Sequence, residues 1–321
     1  MTSRFVVLGI LLTACRAAPI PPAARFPAGT RIQAQYRVID AAELRYVEAG
    51  QGTPVIFIHG LAASIYAWRK NLAPVAAAGF RVVAFDNRGF GFSAKPVHGY
   101  ANADYVRLVI ALMDSLRIAD AVLVGHSMGG AIAAQVALEH PHRVRGLVLL
   151  AAAIGPGTRA PTLWRLCRWP AFGSMLMRLR GRSLTARVLK STYADPAKVT
   201  EQDVDQYYAP VADPDFGRAL LAMLREFRFD TLEGRLGTLT APTLLLWGEQ
   251  DRWVPPGVGR RLASQLLRAA FVTVPHAGHS LQEEAAEEVN RLLITFLKHG
   301  LPRIPENLAW SSRSGADAGR R

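Results

Sequence analysis

Short apolar runs at 54–59 (PVIFIH), 81–86 (RVVAFD), 121–126 (AVLVGH) and 145–151 (RGLVLLA) alternate with helical periodicity near 65–79, 103–116 and 129–140. Runs of this length, apolar throughout and closed by glycine or polar turns, read as strands buried on both faces. A buried strand, a helix and another buried strand make a right-handed crossover. The alternation therefore predicts an α/β fold, a mostly parallel sheet covered by helices on both faces. Ahead of it, 32–39 and 43–48 read as a hairpin. The alternation breaks over 156–235, which carries amphipathic helical stretches and no convincing buried strand. It resumes with TLLLW at 243–247, a helix near 257–268, FVTV at 271–274 and a last helix near 282–298. An insertion at that point of an open sheet sits over the strand ends, where ligands bind. The expected organisation is a core of 32–155 and 236–298, a helical cap at 156–235 and a flexible tail at 299–321.

The chemistry is concentrated in Gly125-His126-Ser127-Met128-Gly129-Gly130, a G-x-S-x-G at the end of an apolar strand and the start of an Ala-rich helix. That context is the one a nucleophile elbow demands: an abrupt strand-to-helix turn exposes the serine hydroxyl, and flanking glycines remove side chains that would clash. The helix N-terminus lends free N–H groups and its positive end to a developing oxyanion. A serine hydroxyl needs a base. His140 and His142 bracket a proline at the end of the post-elbow helix, away from the strand ends, and read as surface residues. His276 and His279 follow the last strand, where a loop must reach back toward the serine, and both are candidates. The acid should follow a late strand and precede the histidine; Asp251, behind TLLLW, is the first choice and Glu249 the second. Backbone N–H groups of Leu61, in the loop after PVIFI, and of Met128 would form the oxyanion hole.

These motifs, with His59-Gly60 and the D-x-R-G-x-G-x-S turn at 86–93, resemble the α/β-hydrolase superfamily over about residues 35–298. The resemblance implies a Ser127–Asp251–His279 triad: the family's G-H motif selects His279, and the absence of an acid at 151–156 favours Asp251. His279-Ser280-Leu281-Gln282-Glu283-Glu284 is similar to haloalkane dehalogenases and epoxide hydrolases, but those carry an aspartate at the elbow, so neither activity is expected. The implied reaction is hydrolysis of carboxylic esters through an acyl-enzyme, on a small apolar ester or acyl substrate. The alternative is a serine-dependent carbon–carbon bond hydrolase. Such enzymes commonly have Asn before the serine and an aromatic after the histidine, where this chain has His126 and Ser280. A non-catalytic binding protein on the same fold would be expected to lack one of the three side chains. No cofactor or metal is implied.

A net charge of +13 could suggest nucleic acid, yet no recognition motif accompanies it. Anionic lipid or another polyanion is the more economical reading. Arg159 to Lys190 holds eight basic residues and no acidic one, interleaved with apolar and aromatic side chains. That composition suits an interfacial helix, and equally a cap whose arginines face water. At the N-terminus an apolar run at 5–14, too short to span a bilayer, ends in Leu12-Thr13-Ala14-Cys15. This resembles a bacterial lipobox. It implies a signal peptide at 1–14, lipidation of Cys15, a Pro-rich tether at 15–31, and an exported protein anchored in the cell envelope; a soluble secreted or periplasmic protein is the alternative. The other cysteine, Cys167, would then have no disulfide partner.

Overall fold

The computed structural model describes residues 32–155 and 180–301, together with Trp169, Gly173 and Met177. The leader, Cys15, the tether, Cys167 and the tail beyond Leu301 lie outside the described residues, as does most of 156–179. One eight-stranded sheet organises the chain in the order β1–β2–β4–β3–β5–β6–β7–β8. Its strands are β1 (Ala34–Ile39), β2 (Ala42–Ala49), β3 (Pro54–Ile58), β4 (Arg81–Phe85), β5 (Ala121–His126), β6 (Val144–Leu150), β7 (Thr243–Gly248) and β8 (Ala269–Val274). The β1–β2 hairpin lies antiparallel on β4, and every pairing from β4 to β8 is parallel. The apolar runs are the central strands because both faces are covered: β5 and β7 are buried at every position.

Helices α1 (Leu72–Ala77), α2 (Asn102–Ser115), α3 (Met128–Glu139), α7 (Pro256–Gln265), α8 (Leu281–Glu284) and α9 (Ala286–His299) cover the sheet. Two expected helices are divided. The stretch 65–79 becomes a 3₁₀ turn, Ile65–Trp68, and then α1. A continuous helix there would put Pro74 in its interior, where it lacks an N–H and clashes with the preceding turn. The last helix is broken at Ala285, whose φ of −124° and ψ of 46° separate α8 from α9. Between β6 and β7 the described insertion contains α4 (Arg182–Ser191), α5 (Glu201–Val211) and α6 (Phe216–Glu226), and no strand among the described residues. Phe216, Ala219, Leu220 and Met223 of α6 join the main core, whereas Leu189, Tyr193, Val199 and Val204 form a small core of their own. Among the described residues no helix is long and apolar enough to cross a membrane.

The topology places a crevice. From β3 the chain goes to β4 on one side and returns to β5 on the other, so the loops leaving the C-terminal ends of β3 and β5 diverge. That switch point is where open α/β sheets bind ligands.

Candidate active site

Ser127 stands at the junction of β5 and α3 with φ 52° and ψ −117°, a conformation that costs a non-glycine residue about 1–3 kcal/mol. Backbone bonds hold it there. Its N–H donates to Leu150 O at 2.9 Å, and its carbonyl accepts from Gly130 N and Ala153 N at 3.0 Å. The turn is possible because α3 can lie against the β3 loop: a methyl at Gly129 would sit 2.1 Å from Ile58 O. Across the crevice, a methyl at Gly60 would lie 3.2 Å from Ser127 Cβ, which puts the start of the Leu61 turn beside the serine. Met128 opens α3, so its N–H is one of the first-turn donors without an acceptor inside the helix.

Asp251 and His279 leave the ends of the neighbouring strands β7 and β8 and meet. His279 Nδ1 donates to Asp251 Oδ2 at 2.9 Å, with both side chains buried. The other carboxylate oxygen, Oδ1, accepts the N–H groups of Trp253 at 2.8 Å and Val254 at 2.9 Å. The aspartate is thus fixed by the turn that carries it, and its remaining oxygen holds the Nδ1–H tautomer, leaving Nε2 as the basic nitrogen. Glu249 and His276 are exposed, His276 at φ 53° in the turn before the loop, and neither joins this pair. His140 and His142 lie together on and beside the 3₁₀ turn Pro141–Arg143, near the surface.

His126 links the serine to this pair. Its ring is 4.8 Å from that of His279 between centroids, and its Nε2 donates to the His279 carbonyl at 2.9 Å. Burial, and then the neighbouring His279, push its pKa well below the ordinary histidine value, so it is a neutral spacer. Its Nδ1 is buried without a hydrogen-bond partner. His59 is neutral for a related reason: burial lowers it, against the opposing pull of Asp86 and the Gly60 carbonyl. Its Nδ1 donates to Gly60 O at 2.7 Å and its Nε2 accepts from Asn87 N at 2.8 Å, so both nitrogens serve the loop. The Asp86 turn is likewise structural: Asp86 accepts from Ile65 N at 2.6 Å, Phe92 N at 2.8 Å and Arg45 Nη1 at 3.1 Å.

Three features around the site were not visible in sequence. Trp253 stacks on His279, with centroids 6.0 Å apart and planes 16° from parallel. Arg69, next to Trp68 against the His126 ring, is buried between Asp203 of α5 (2.7 Å) and Glu283 of α8, with its guanidinium 4.3 Å over Tyr66. Tyr66 OH donates to Asp203 at 3.0 Å, and Tyr193 and Tyr207 donate to Glu283 at 3.3 and 2.6 Å. Burial pushes all three phenols up, so they remain donors. Burial raises Asp203, but Arg69, aided by Thr200 and Tyr66, outweighs it and holds the carboxyl below the usual range. The only sequence signal for this network is the Thr200-x-x-Asp203 capping box that starts α5.

Comparison with known proteins agrees with the fold. Residues 55–292 match the profile of the alpha/beta hydrolase family. A 2-hydroxy-6-oxononadienedioate/2-hydroxy-6-oxononatrienedioate hydrolase of Paraburkholderia xenovorans is 33% identical over 271 residues, covering 80% of this chain and 91% of that protein. Among solved structures, a meta-cleavage product hydrolase from Pseudomonas fluorescens superimposes with a TM-score of 0.72 at 26% identity, covering 83% of this chain and 98% of that one. A bacterial membrane phospholipase A does so with a TM-score of 0.72 at 25% identity, covering 86% and 87%.

Proposed function

The chain belongs to the alpha/beta hydrolase family and is a hydrolase, and from that premise we propose that it attacks a carbonyl carbon with Ser127, with His279 as base and Asp251 as the residue orienting it. The observation that carries this reading is the 2.9 Å Asp251–His279 hydrogen bond, with the His279 ring packed on His126, the neighbour of a serine in a strained elbow. His279 Nε2 takes the hydroxyl proton as Ser127 Oγ adds to the carbonyl, and the N–H groups of Leu61 and Met128 receive the oxyanion. The imidazolium returns the proton to the departing group, and water then releases the acyl chain by the same route.

The bond broken is the open choice. Ester hydrolysis is the first expectation from the motifs alone, but the similarity to hydrolases of ring-fission dienoates favours carbon–carbon cleavage beside a ketone. In that case the electron pair of the broken bond passes into the conjugated carbonyl system, which supplies the leaving group that an ester has ready-made. A substrate of this class is an anion, and a cap sequence with eight basic residues and no acid between Arg159 and Lys190 suits it. Ester hydrolysis stays as the second reading because His126 and Ser280 replace the Asn and aromatic residue expected beside a carbon–carbon hydrolase triad, and because the fold also matches a phospholipase. The helical insertion at 156–235 would act as the substrate-covering cap in either case. The lipobox-like Cys15 supports, from sequence alone, anchoring of the enzyme in the cell envelope.

The test is a substrate panel given to wild type and Ser127→Ala: 2-hydroxy-6-oxo-dienoates, followed by loss of their visible absorbance, and p-nitrophenyl esters of increasing acyl length. Dienoate turnover that vanishes in the variant supports the first reading. Turnover of esters alone transfers the assignment to the second. A folded wild type inert to both removes both.

A further inference from the structure

The buried carboxylate of Glu284 gathers three backbone N–H groups from two distant parts of the chain. Its Oε2 accepts from Gly278 at 2.7 Å and from Ala194 at 2.9 Å, and its Oε1 accepts from Asp195 at 2.8 Å. Gly278 immediately precedes His279, while Ala194 and Asp195 form the turn that follows α4 in the insertion. The two backbones are pressed together there: a methyl at Gly278 would lie 2.6 Å from both Ala194 N and Thr192 O. The residue after His279 is tied to the same turn. Ser280 N donates to Thr192 O at 3.0 Å, and Ser280 Oγ donates to Thr192 Oγ1 at 2.9 Å. The acid loop joins too, since Trp253 Nε1 donates to Ser191 O at 3.1 Å.

Three converging donors require an acceptor with two oxygens and no hydrogens of its own, which among side chains only an ionised carboxylate provides. Such bonds are charge-assisted and roughly twice as strong as neutral ones. Glu284 accepts no bond from His279 itself. It fixes the backbone on one side of the imidazole, and Ser280 fixes the other. We propose that Glu284 is a positioning residue for His279, clasping the 192–195 turn of the insertion to the histidine loop so that the insertion sets where the catalytic base stands. This rests on the assignment of His279 as base and is independent of which bond the enzyme breaks.

Glu284→Ala and Glu284→Gln separate this role from mere stability. Glutamine keeps one acceptor oxygen. Placed at the Oε2 position it retains Gly278 and Ala194, while its NH2 group takes the place of Oε1 and faces the Asp195 N–H. The readouts are the rate at which a fluorophosphonate phosphonylates Ser127, which needs the base but no cognate substrate, and the downfield proton resonance of His279 Nδ1–H, which needs neither substrate nor Ser127. Both are measured well below each variant's melting temperature. Misplacing a catalytic group by about 1 Å costs on the order of 10²-fold. The expected result is a loss of that order in Glu284→Ala with a shifted resonance, and recovery of most of the rate in Glu284→Gln with the resonance near its wild-type position. Labelling of folded Glu284→Ala within twofold of wild type, or equal losses in both variants with an unmoved resonance, would overturn the proposal. A wild type that shows the resonance but is not labelled would instead remove the Ser127 assignment, and the resonance alone would then decide on Glu284.

Discussion

Replacing Arg69 by methionine tests the network that joins the insertion to the core. The side chain is 4% exposed and sits between two carboxylates that are 9% and 0% exposed. Methionine preserves most of the volume but removes the cation, leaving Asp203 and Glu283 buried without their counter-charge. Breaking a buried pair from one side costs about 3–5 kcal/mol, because the stranded charge keeps its desolvation penalty. For a domain of this size the melting entropy is about 0.6 kcal/mol/K, so the melting temperature should fall by roughly 5–8 °C. Urea unfolding at pH 7 measures the free energy directly. Adding Asp203→Asn and Glu283→Gln to Arg69→Met should restore at least half of the loss, since the tyrosine hydroxyls can still donate to the amide oxygens. The pH dependence follows from Asp203, whose folded pKa lies below its unfolded value near 4. A depressed carboxyl contributes stability that is present above the unfolded value and lost as pH falls through the folded one. The gap between wild type and variant should therefore be full at pH 7 and narrow below about pH 4. A loss under about 1 kcal/mol, or no recovery in the triple variant, would refute the claim that Arg69 neutralises both carboxylates.

Gly129→Ala should destabilise by about 3 kcal/mol, the upper end of overpacking costs, because the new methyl meets the Ile58 carbonyl at 2.1 Å and neither backbone can yield; a urea midpoint near wild type would contradict this. His126 stays neutral in the fold, so it contributes stability that is present above the unfolded value near 6.5 and lost as pH falls below it. His126→Gln, whose Nε2 has the reach of the imidazole Nε2 and can still donate to the His279 carbonyl, should lose less stability than wild type between pH 7 and pH 5, by up to ~2 kcal/mol; equal pH slopes in urea unfolding would show that His126 is not the group responsible.

The core and the arrangement of the candidate site were legible because each is written locally. β5 and α3 meet within a few residues, so one window shows the apolar strand, the turn glycines and the Ala-rich helix together. Asp251 and His279 each follow a strand directly, and position relative to a strand end survives the long sequence separation between them. What stayed hidden is what depends on two segments at once. Trp253 reads as one more aromatic in a loop, and Arg69 as one more basic residue in a chain with many. Glu283 and Glu284 look like the solvated first turn of a helix, yet both are buried because the helix breaks at Ala285 and turns them toward the insertion. No periodicity encodes that contact. The division of 65–79 was the more avoidable miss, since Pro74 is a local signal.

The turn that Glu284 holds also bears on how such an enzyme could be rebuilt. Exchanging the whole segment between β6 and β7 for that of a relative would look like trading a module at its two seams, near Gly155 and Leu236. A third seam runs through the middle of the donor piece, where Thr192, Ala194 and Asp195 dock on Gly278, Ser280 and Glu284. A chimera meant to leave the His279 loop in place would have to keep residues 191–195 with the host, and with them Asp203, Tyr207 and the core-facing side of α6. The insertion is, in this sense, less a separable module than an extension of the core, tied to it at several of its described segments.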